Sequence, residues 1–253
     1  MIAVAGAPLF AAGSGRLNRR TDGGANWQAL DLGDDSVIDA AVDPVTPRLV
    51  YAAGELVYVC QTFVCPQIGR VSLSRDGGRT FRNISDLVNP TAAAGRFTTV
   101  AVAPNHTAYV SGDLTFKSDD RGSSWHPLPL GPGIRNLIVD PGTPSTLYAV
   151  DAATVWKSAD AGATWTAQNG GLPSGGGFEL RQIAIDPRGS GTVALATSRG
   201  VFWSSDRAVS WQPLAGLEER SALSVAIDPF SANKIYAGTA TGGGLFVYTR
   251  RQP

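Results

Sequence analysis

"SADAGATW", residues Ser158–Trp165, sets one carboxylate, several small residues and a terminal tryptophan within eight positions. Near-copies stand at 20–27 (RTDGGANW), 74–81 (SRDGGRTF), 118–125 (SDDRGSSW) and 204–211 (SSDRAVSW). Their aspartates, Asp22, Asp76, Asp120, Asp160 and Asp206, lie 54, 44, 40 and 46 residues apart. Recurrence at this period marks a repeat architecture, and it has to be recognised before any one residue is read for chemistry.

Two further elements recur outward from each box. Short apolar runs end on a proline: DAAVDP at Pro44, TVAVAP at Pro104, NLIVDP at Pro141, QIAIDP at Pro187 and SVAIDP at Pro229. Proline cannot extend a ladder, so each reads as a strand stopped by a turn. A second run follows each: LVYAAG, TAYVSG, TLYAVD, VALATS and KIYAGT. The unit is therefore strand A, strand B, strand C, the box as a turn, and strand D. IAVAGAPLFAAG near the start fits strands A and B of a first unit, and GLFVY near the end fits a strand C with no box after it. That gives five complete units and a sixth without its last strand. Repeated four-stranded units at this period predict an all-β chain, a β-propeller of six blades forming a single domain over 1–253 with an inserted loop at 55–70. The alternative is a fragment of a seven-bladed propeller.

Composition narrows the partners. Acidic and basic residues balance at 21 each and charged residues make up 17% of the chain. No block of like charge occurs, so neither nucleic acid nor an anionic membrane is expected. No apolar run approaches the roughly 20 residues of a membrane span. MIAVAGAPLF lacks a basic start and is not read as a signal peptide. With two cysteines, Cys60 and Cys65, and two histidines, a metal site is hard to assemble, and neither metal nor cofactor is expected. The cysteines read as a disulfide pinning a short loop, with free thiols the alternative; a disulfide suggests an extracytoplasmic setting. Asn83 and Asn105 open N-glycosylation triplets that matter only in a eukaryotic secretory protein.

The box is explained without a ligand. Aspartate accepts turn N–H groups, glycine permits positive φ, serine and threonine bond nearby backbone, and the aromatic packs on the blade. The pattern SxDxGxTW resembles the Asp-box, or bacterial neuraminidase repeat, of sialidases, xyloglucan hydrolases, sortilin-type receptors and photosystem II assembly factors. That resemblance implies a structural turn, away from the ligand face, for Asp22, Asp76, Asp120, Asp160 and Asp206 with Trp27, Phe81, Trp125, Trp165 and Trp211. Box one carries Arg20 and Asn26 where the pattern has serine and threonine, and box five carries Ala208 for glycine. Looser hairpins are expected at both, with strain or a different turn at Ala208.

A residue shared by every unit is architecture, and a functional one should break the pattern. Tyr51, Tyr109, Tyr148 and Tyr236 share one strand-B slot, and Asp43, Asp140, Asp186 and Asp228 share the slot before proline. What breaks the pattern lies on the face of the B–C turns and D-to-A links. The insertion ELVYVCQTFVCPQIGR at 55–70 offers Tyr58 and Phe63 as ligand contacts, or is a hairpin that covers a blade. Arg135 and Arg181 stand five residues before the aspartate of their DP pairs, and Arg96 two residues earlier in its own unit. These arginines either converge on an anion or pair with Glu179, Glu218 or Asp39.

Sialidases share the boxes and three arginines, but also carry an Arg-Ile-Pro signature and a tyrosine–glutamate pair. No Arg-Ile-Pro occurs here, and Glu55, Glu179, Glu218 and Glu219 form no pairing motif. The reading is thus a non-catalytic module, without assigned catalytic residues, that binds a protein or glycan on the B–C face. A glycoside hydrolase on the same fold is one alternative. A photosystem-type assembly factor, or a segment of a larger propeller, is another.

Overall fold

A computed structural model describes residues 9–13, 15–20, 26–33, 35–56, 68–90, 95–218, 220–240 and 244–249. They form six antiparallel sheets with strands in sequence order; four sheets have four strands, and the first and last have three. The chain divides into two compact units, Met1–Gly133 and Ile134–Pro253.

In the first unit, the opening sheet holds Leu9–Gly13, Arg16–Arg20 and Gln28–Leu30. These are strands B, C and D of the repeat; IAVAG falls outside the described residues. The second sheet holds Asp35–Val42, Val50–Leu56, Gly69–Ser74 and Arg82–Asn83 as A to D. The third holds Phe97–Val102, Ala108–Gly112, Phe116–Ser118 and His126–Pro127. In the second unit, the fourth sheet runs through Asn136–Val139, Leu147–Val150, Val155–Ser158 and Thr166–Ala167. The fifth runs through Leu180–Ile185, Val193–Thr197, Gly200–Ser204 and Gln212–Pro213. The last has Ala222–Asp228, Ser231–Thr239 and Gly244–Thr249, an A, B and C without a described D. One element has no signal in the apolar periodicity: a four-residue helix, Ser85–Val88, between the second and third sheets. Asn83 Oδ1 accepts the Ser85 N–H, Ser85 Oγ accepts the Val71 N–H, and buried Val88 fills the core beneath.

The boxes close the C–D hairpins by one hydrogen-bond scheme. Asp160 accepts Ser158 Oγ at 2.8 Å, the Thr164 N–H at 2.9 Å and Thr164 Oγ1 at 2.6 Å. Asp76, Asp120 and Asp206 hold the matching serine and threonine donors of their own boxes. The box serine is buried and accepts the N–H of the glycine four residues on, as Ser158 does from Gly162. Two successive residues in each turn are left-handed: 77 and 78, 121 and 122, 161 and 162, 207 and 208. Box five keeps this turn. Ala208 takes φ +69° and donates to Ser204 Oγ at 2.9 Å, so the strain expected there is present while the turn itself is unchanged. Residues 21–25 of box one, Asp22 included, are outside the described residues; Trp27 is exposed beneath the Arg20 guanidinium at 5.4 Å.

Boxes two, three and five rest on the sheet before them. A Cβ on Gly122 would stand 3.1 Å from both Leu73 and Tyr51, and Tyr51 meets Trp125 edge to face at 6.3 Å. Tyr148 OH likewise donates to the Arg207 carbonyl, and Phe10 fills the corresponding place against Gly78. In the first, second and fourth sheets the strand-B aromatic, Phe10, Tyr51 or Tyr148, is therefore the seat of the next unit's box. Burial pushes Tyr51 and Tyr148 up to about 12. The aspartates before proline cap their own turns: Asp43 accepts the Val45 and Thr46 N–H groups, and Asp228 those of Phe230 and Ser231.

A second contact between neighbouring sheets lies on the innermost strands. Register breaks fall at Val37/Asp39, Phe97/Thr99, Leu180/Gln182 and Ala222/Ser224, each with one extra residue on strand A. Such bulges re-aim side chains. In the second and third sheets glycine sits opposite because nothing larger fits: a Cβ on Gly54 would fall 1.9 Å from the Ser36 carbonyl, and one on Gly112 2.1 Å from that of Arg96. In the second, fourth and fifth sheets the residue after the bulge or in its slot, five before the proline, reaches the next sheet. Asp39 Oδ2 accepts the Val100 N–H at 3.0 Å and Thr99 Oγ1 at 3.1 Å. From the same slot Asn136 Oδ1 accepts the Ile183 N–H at 3.1 Å, and Gln182 Oε1 the Val225 N–H at 2.8 Å.

Candidate functional site

Within each sheet the strand order sends the A–B turn and the box to one end and the B–C turn and D-to-A link to the other. At the box end the carboxylates are fully engaged. Asp120, Asp160 and Asp206 are held down at about 2, first by the hydroxyls of Ser124, Thr164 and Ser204 respectively. A group bonded this completely to its own turn has little left for a ligand.

The opposite end of the second sheet is built differently. Its B and C strands are longer than those of the first, third, fourth and fifth sheets, with Glu55 paired to Gly69 and the Leu56 N–H bonded to the Ile68 carbonyl at 2.9 Å. They form the stem of the insertion. Residues 57–67, which include Tyr58, Phe63, Cys60 and Cys65, lie outside the described residues. Beside the stem a cavity of about 410 Å³ is lined by Asp31, Leu32, Gly33, Leu56, Arg70, Ser72, Phe81 and Asn83. Its size lies within the ordinary range of ligand pockets. It combines one aromatic ring with a guanidinium, a carboxylate, a hydroxyl and an amide. Asp31 is oriented by the Gly33 N–H at 2.9 Å. Such a mixture suits a polyhydroxylated ligand, which presents an apolar ring face and hydroxyl edges together.

Sequence reasoning did not find this cavity. Phe81 is assigned there to packing alone, while Arg70 and Asn83 belong to strands rather than to a motif. The signal present was positional: Arg70 ends the very insertion already marked as irregular.

Arg135 and Arg181 are each bonded within their own compact unit. Arg135 Nη1 donates to the Leu180 carbonyl at 2.8 Å and pairs with Glu179 at 3.4 Å. Arg181 Nη1 donates to Ser221 Oγ at 2.6 Å and to the Ala222 carbonyl at 3.2 Å. Each ties its own strand A to the next, so Arg135 meets its Glu179 alternative. Arg96 belongs to the other compact unit, where its N–H donates to Asp113 Oδ2 at 2.8 Å. Other acids at this end are also turned inward: Asp151 accepts the Ala153 and Thr154 N–H groups and Trp156 Nε1, and Glu218 accepts the Gly216 N–H.

No protein-family model matches the chain. A probable oligoxyloglucan-reducing end-specific xyloglucanase of Neosartorya fischeri is 27% identical over 174 residues, which are 58% of this chain and 21% of that one. The chain thus spans about a fifth of the length of the curated relatives it matches. Among solved structures, an ancestral GH74 enzyme aligns at 16% identity with a TM-score of 0.71, over 98% of this chain and 37% of that one. YCF48 bound to D1 peptide aligns at 17% identity with a TM-score of 0.60, over 83% of this chain and 64% of that one. At these identities the likeness is one of fold, and with the six antiparallel sheets it makes the chain an all-β protein of the β-propeller class.

Proposed function

We propose that this chain is a glycan-binding β-propeller whose ligand lies in the cleft beside the 57–67 insertion. The boxes, on this reading, are Asp-boxes that brace the opposite end. The observation that carries the proposal is the coincidence of the longest B–C turn with a cavity lined by Arg70, Asp31, Asn83 and Phe81. Tyr58, Phe63 and Arg96 stay on this reading as candidate ligand contacts for substitution. Arg135 and Arg181 act chiefly as straps between strands. The names of the curated relatives favour a β-glucan with xylosyl branches as the first ligand to test. A disulfide between Cys60 and Cys65 would hold the insertion in shape in an extracytoplasmic setting.

Isothermal titration with xyloglucan oligosaccharides tests this directly. Binding is expected for the whole chain, and is lost on deleting residues 57–67 or in Arg70→Ala while the melting temperature stays unchanged. Absence of binding to a broad panel of neutral and acidic oligosaccharides overturns it. The names of the curated relatives also keep hydrolysis as a second reading, and release of reducing ends from the same oligosaccharides decides between the two.

A further inference from the structure

The seats of box three and box five are built differently. In the second sheet Tyr51, Leu73 and Arg82 are paired in a row across strands B, C and D, so their side chains share one face. Box three sits on that face, with Gly122 against Tyr51 and Leu73. The same row in the fourth sheet is Tyr148, Lys157 and Thr166. There Lys157 Nζ stands 5.5 Å from the centroid of the Tyr148 ring and donates to the Arg207 carbonyl of box five at 2.8 Å. The lysine thus covers the tyrosine and closes the junction with a charge-assisted bond. The second sheet has Leu73 in the lysine's place, and a leucine has no donor to offer the box. The donor to the equivalent carbonyl, that of Arg121, comes instead from Arg75 Nη2 at 3.1 Å. Tyr51 OH, whose counterpart in the fourth sheet donates to the Arg207 carbonyl, is buried without a partner among the described residues. The positive charge of the row has moved one strand outward to Arg82, which is exposed and whose guanidinium has no partner among the described residues. The exchange leaves a cavity of about 400 Å³ beside the two boxes, lined by buried Leu73 and Ile84 and by exposed Leu87, Ser123, Arg75 and Arg82.

We propose that this cavity binds an amphipathic organic acid, a carboxylate carried on an apolar body, at the end of the second sheet opposite its insertion. Two guanidiniums beside an apolar hollow match a head and a body of that kind. The fork of arginine takes a carboxylate through paired N–H donors, and the body covers Leu87, which is 43% exposed. The volume lies within the ordinary range of small-molecule sites. The hydroxyls nearby are already committed: Thr80 Oγ1 donates to Asp76 at 2.7 Å, and Ser123 Oγ to the Asp120 carbonyl at 3.1 Å. The carboxylates of both boxes are likewise held in their own turns. Recognition of the anion therefore falls to Arg75 and Arg82. No carboxylate lines this cavity among the described residues, whereas the one beside Arg70 holds Asp31 as well, so the two differ in the ligand they suit.

Isothermal titration of the whole chain with 2-naphthoate, indole-3-acetate and decanoate is the test, with naphthalene-2-methanol and acetate as controls for body and head alone. At least one of the three acids is expected to bind with a Kd of about 1 mM or below, the strength such small ligands reach. Arg82→Ala is expected to weaken that acid at least about tenfold with an unchanged melting temperature, the loss for a charge-assisted bond from an exposed guanidinium. Leu73→Lys restores the fourth sheet's arrangement and is expected to fill the hollow and abolish binding. Arg70→Ala, in the other cavity, is expected to leave binding intact. Silence from all three acids overturns the proposal. So does equal binding of either control, full binding in Arg82→Ala or in a folded Leu73→Lys, or loss of binding in Arg70→Ala. Should Leu73→Lys lower the melting temperature, Leu87→Ala at its exposed position takes its place, and an unchanged affinity there overturns the apolar half of the site.

Discussion

The boxes and the slot five before the proline do the same job with opposite chemistry. Both terminate backbone N–H groups that the ladders leave unpaired. The box uses aspartate each time, because one carboxylate has to accept a serine hydroxyl, a threonine or serine hydroxyl and at least one N–H at once, as Asp160 does. The inner slot has one N–H to reach on the neighbouring strand, and Asp39, Asn136 and Gln182 all reach it. A site with several simultaneous demands fixes the residue type. A site with a single demand fixes only the presence of an acceptor at the right distance.

The seat of the box gives the largest way to break this comparison. Tyr148→Ala removes a buried ring between two sheets and is expected to cost about 3–5 kcal/mol in urea unfolding, the range for a large aromatic truncated in a core. A loss below about 1 kcal/mol would mean the box stands without its seat.

The inner slot predicts tolerance by role. Asp39→Ala leaves the Val100 N–H unpaired and is expected to cost about 1–3 kcal/mol. Asp39→Asn keeps the acceptor, as Asn136 does, and is expected to cost less. Burial raises the Asp39 carboxyl above its usual value. For a folded pKa that is raised, the stability is full below the unfolded value of about 3.9 and is lost as pH rises through the folded one. Asp39→Asn should therefore gain on the wild type as pH climbs from 4 to 7, and equal pH profiles for the two proteins would remove the assigned role.

The glycine of the box separates turn strain from packing. Gly122→Ala adds a Cβ at φ +82° against Leu73 and Tyr51, and is expected to lower stability by about 1–2 kcal/mol. Ala208→Gly relieves φ +69° but empties a buried methyl site, so a net change under about 1 kcal/mol is expected. A large loss in Ala208→Gly would show that packing, not φ, governs box five.

Smallest is the acid limb. Asp120, Asp160 and Asp206 titrate at about 2 when folded, below the unfolded value of about 3.9. Their stabilisation is present above about pH 4 and is lost as pH falls towards 2. The triple aspartate-to-asparagine variant should flatten that limb of the stability profile and leave the slope above pH 5 as it was.

The same distinction explains what could be read in advance. Asp160, Trp165, Tyr148 and the DP pairs recur by type, so the strand order and the hairpin turns followed from the letters, as did the architectural standing of the tyrosine slot, though not its place under the next box. Asp39 recurs only by role. It was weighed as an arginine partner, whereas its contacts are the Val100 N–H and Thr99. Arg181 broke the pattern by type and so drew attention as a ligand residue, yet its bonds are to Ser221 and Ala222, across to the next strand. The cavity beside Arg70 was invisible because a pocket is a property of neighbours, and Asp31, Leu56 and Asn83 come from three separate segments. The helix Ser85–Val88 was missed for a related reason: one turn is too short to show periodicity and is held by bonds of Ser85 to Asn83 Oδ1 and to the Val71 N–H.

The forward reach of the inner slot also has a bearing on how such a chain can change length. Asp39, Asn136 and Gln182 each grip the sheet that follows, never the one before. The junctions are thus directional and chemically interchangeable, like couplings on identical carriages. Gain or loss of a whole unit by tandem duplication or deletion at one of these three junctions leaves it with a partner of the kind it already had, whereas a change by half a unit would strand one. Exchange at unit boundaries is accordingly the change in size that these three junctions accommodate with their contacts kept in kind.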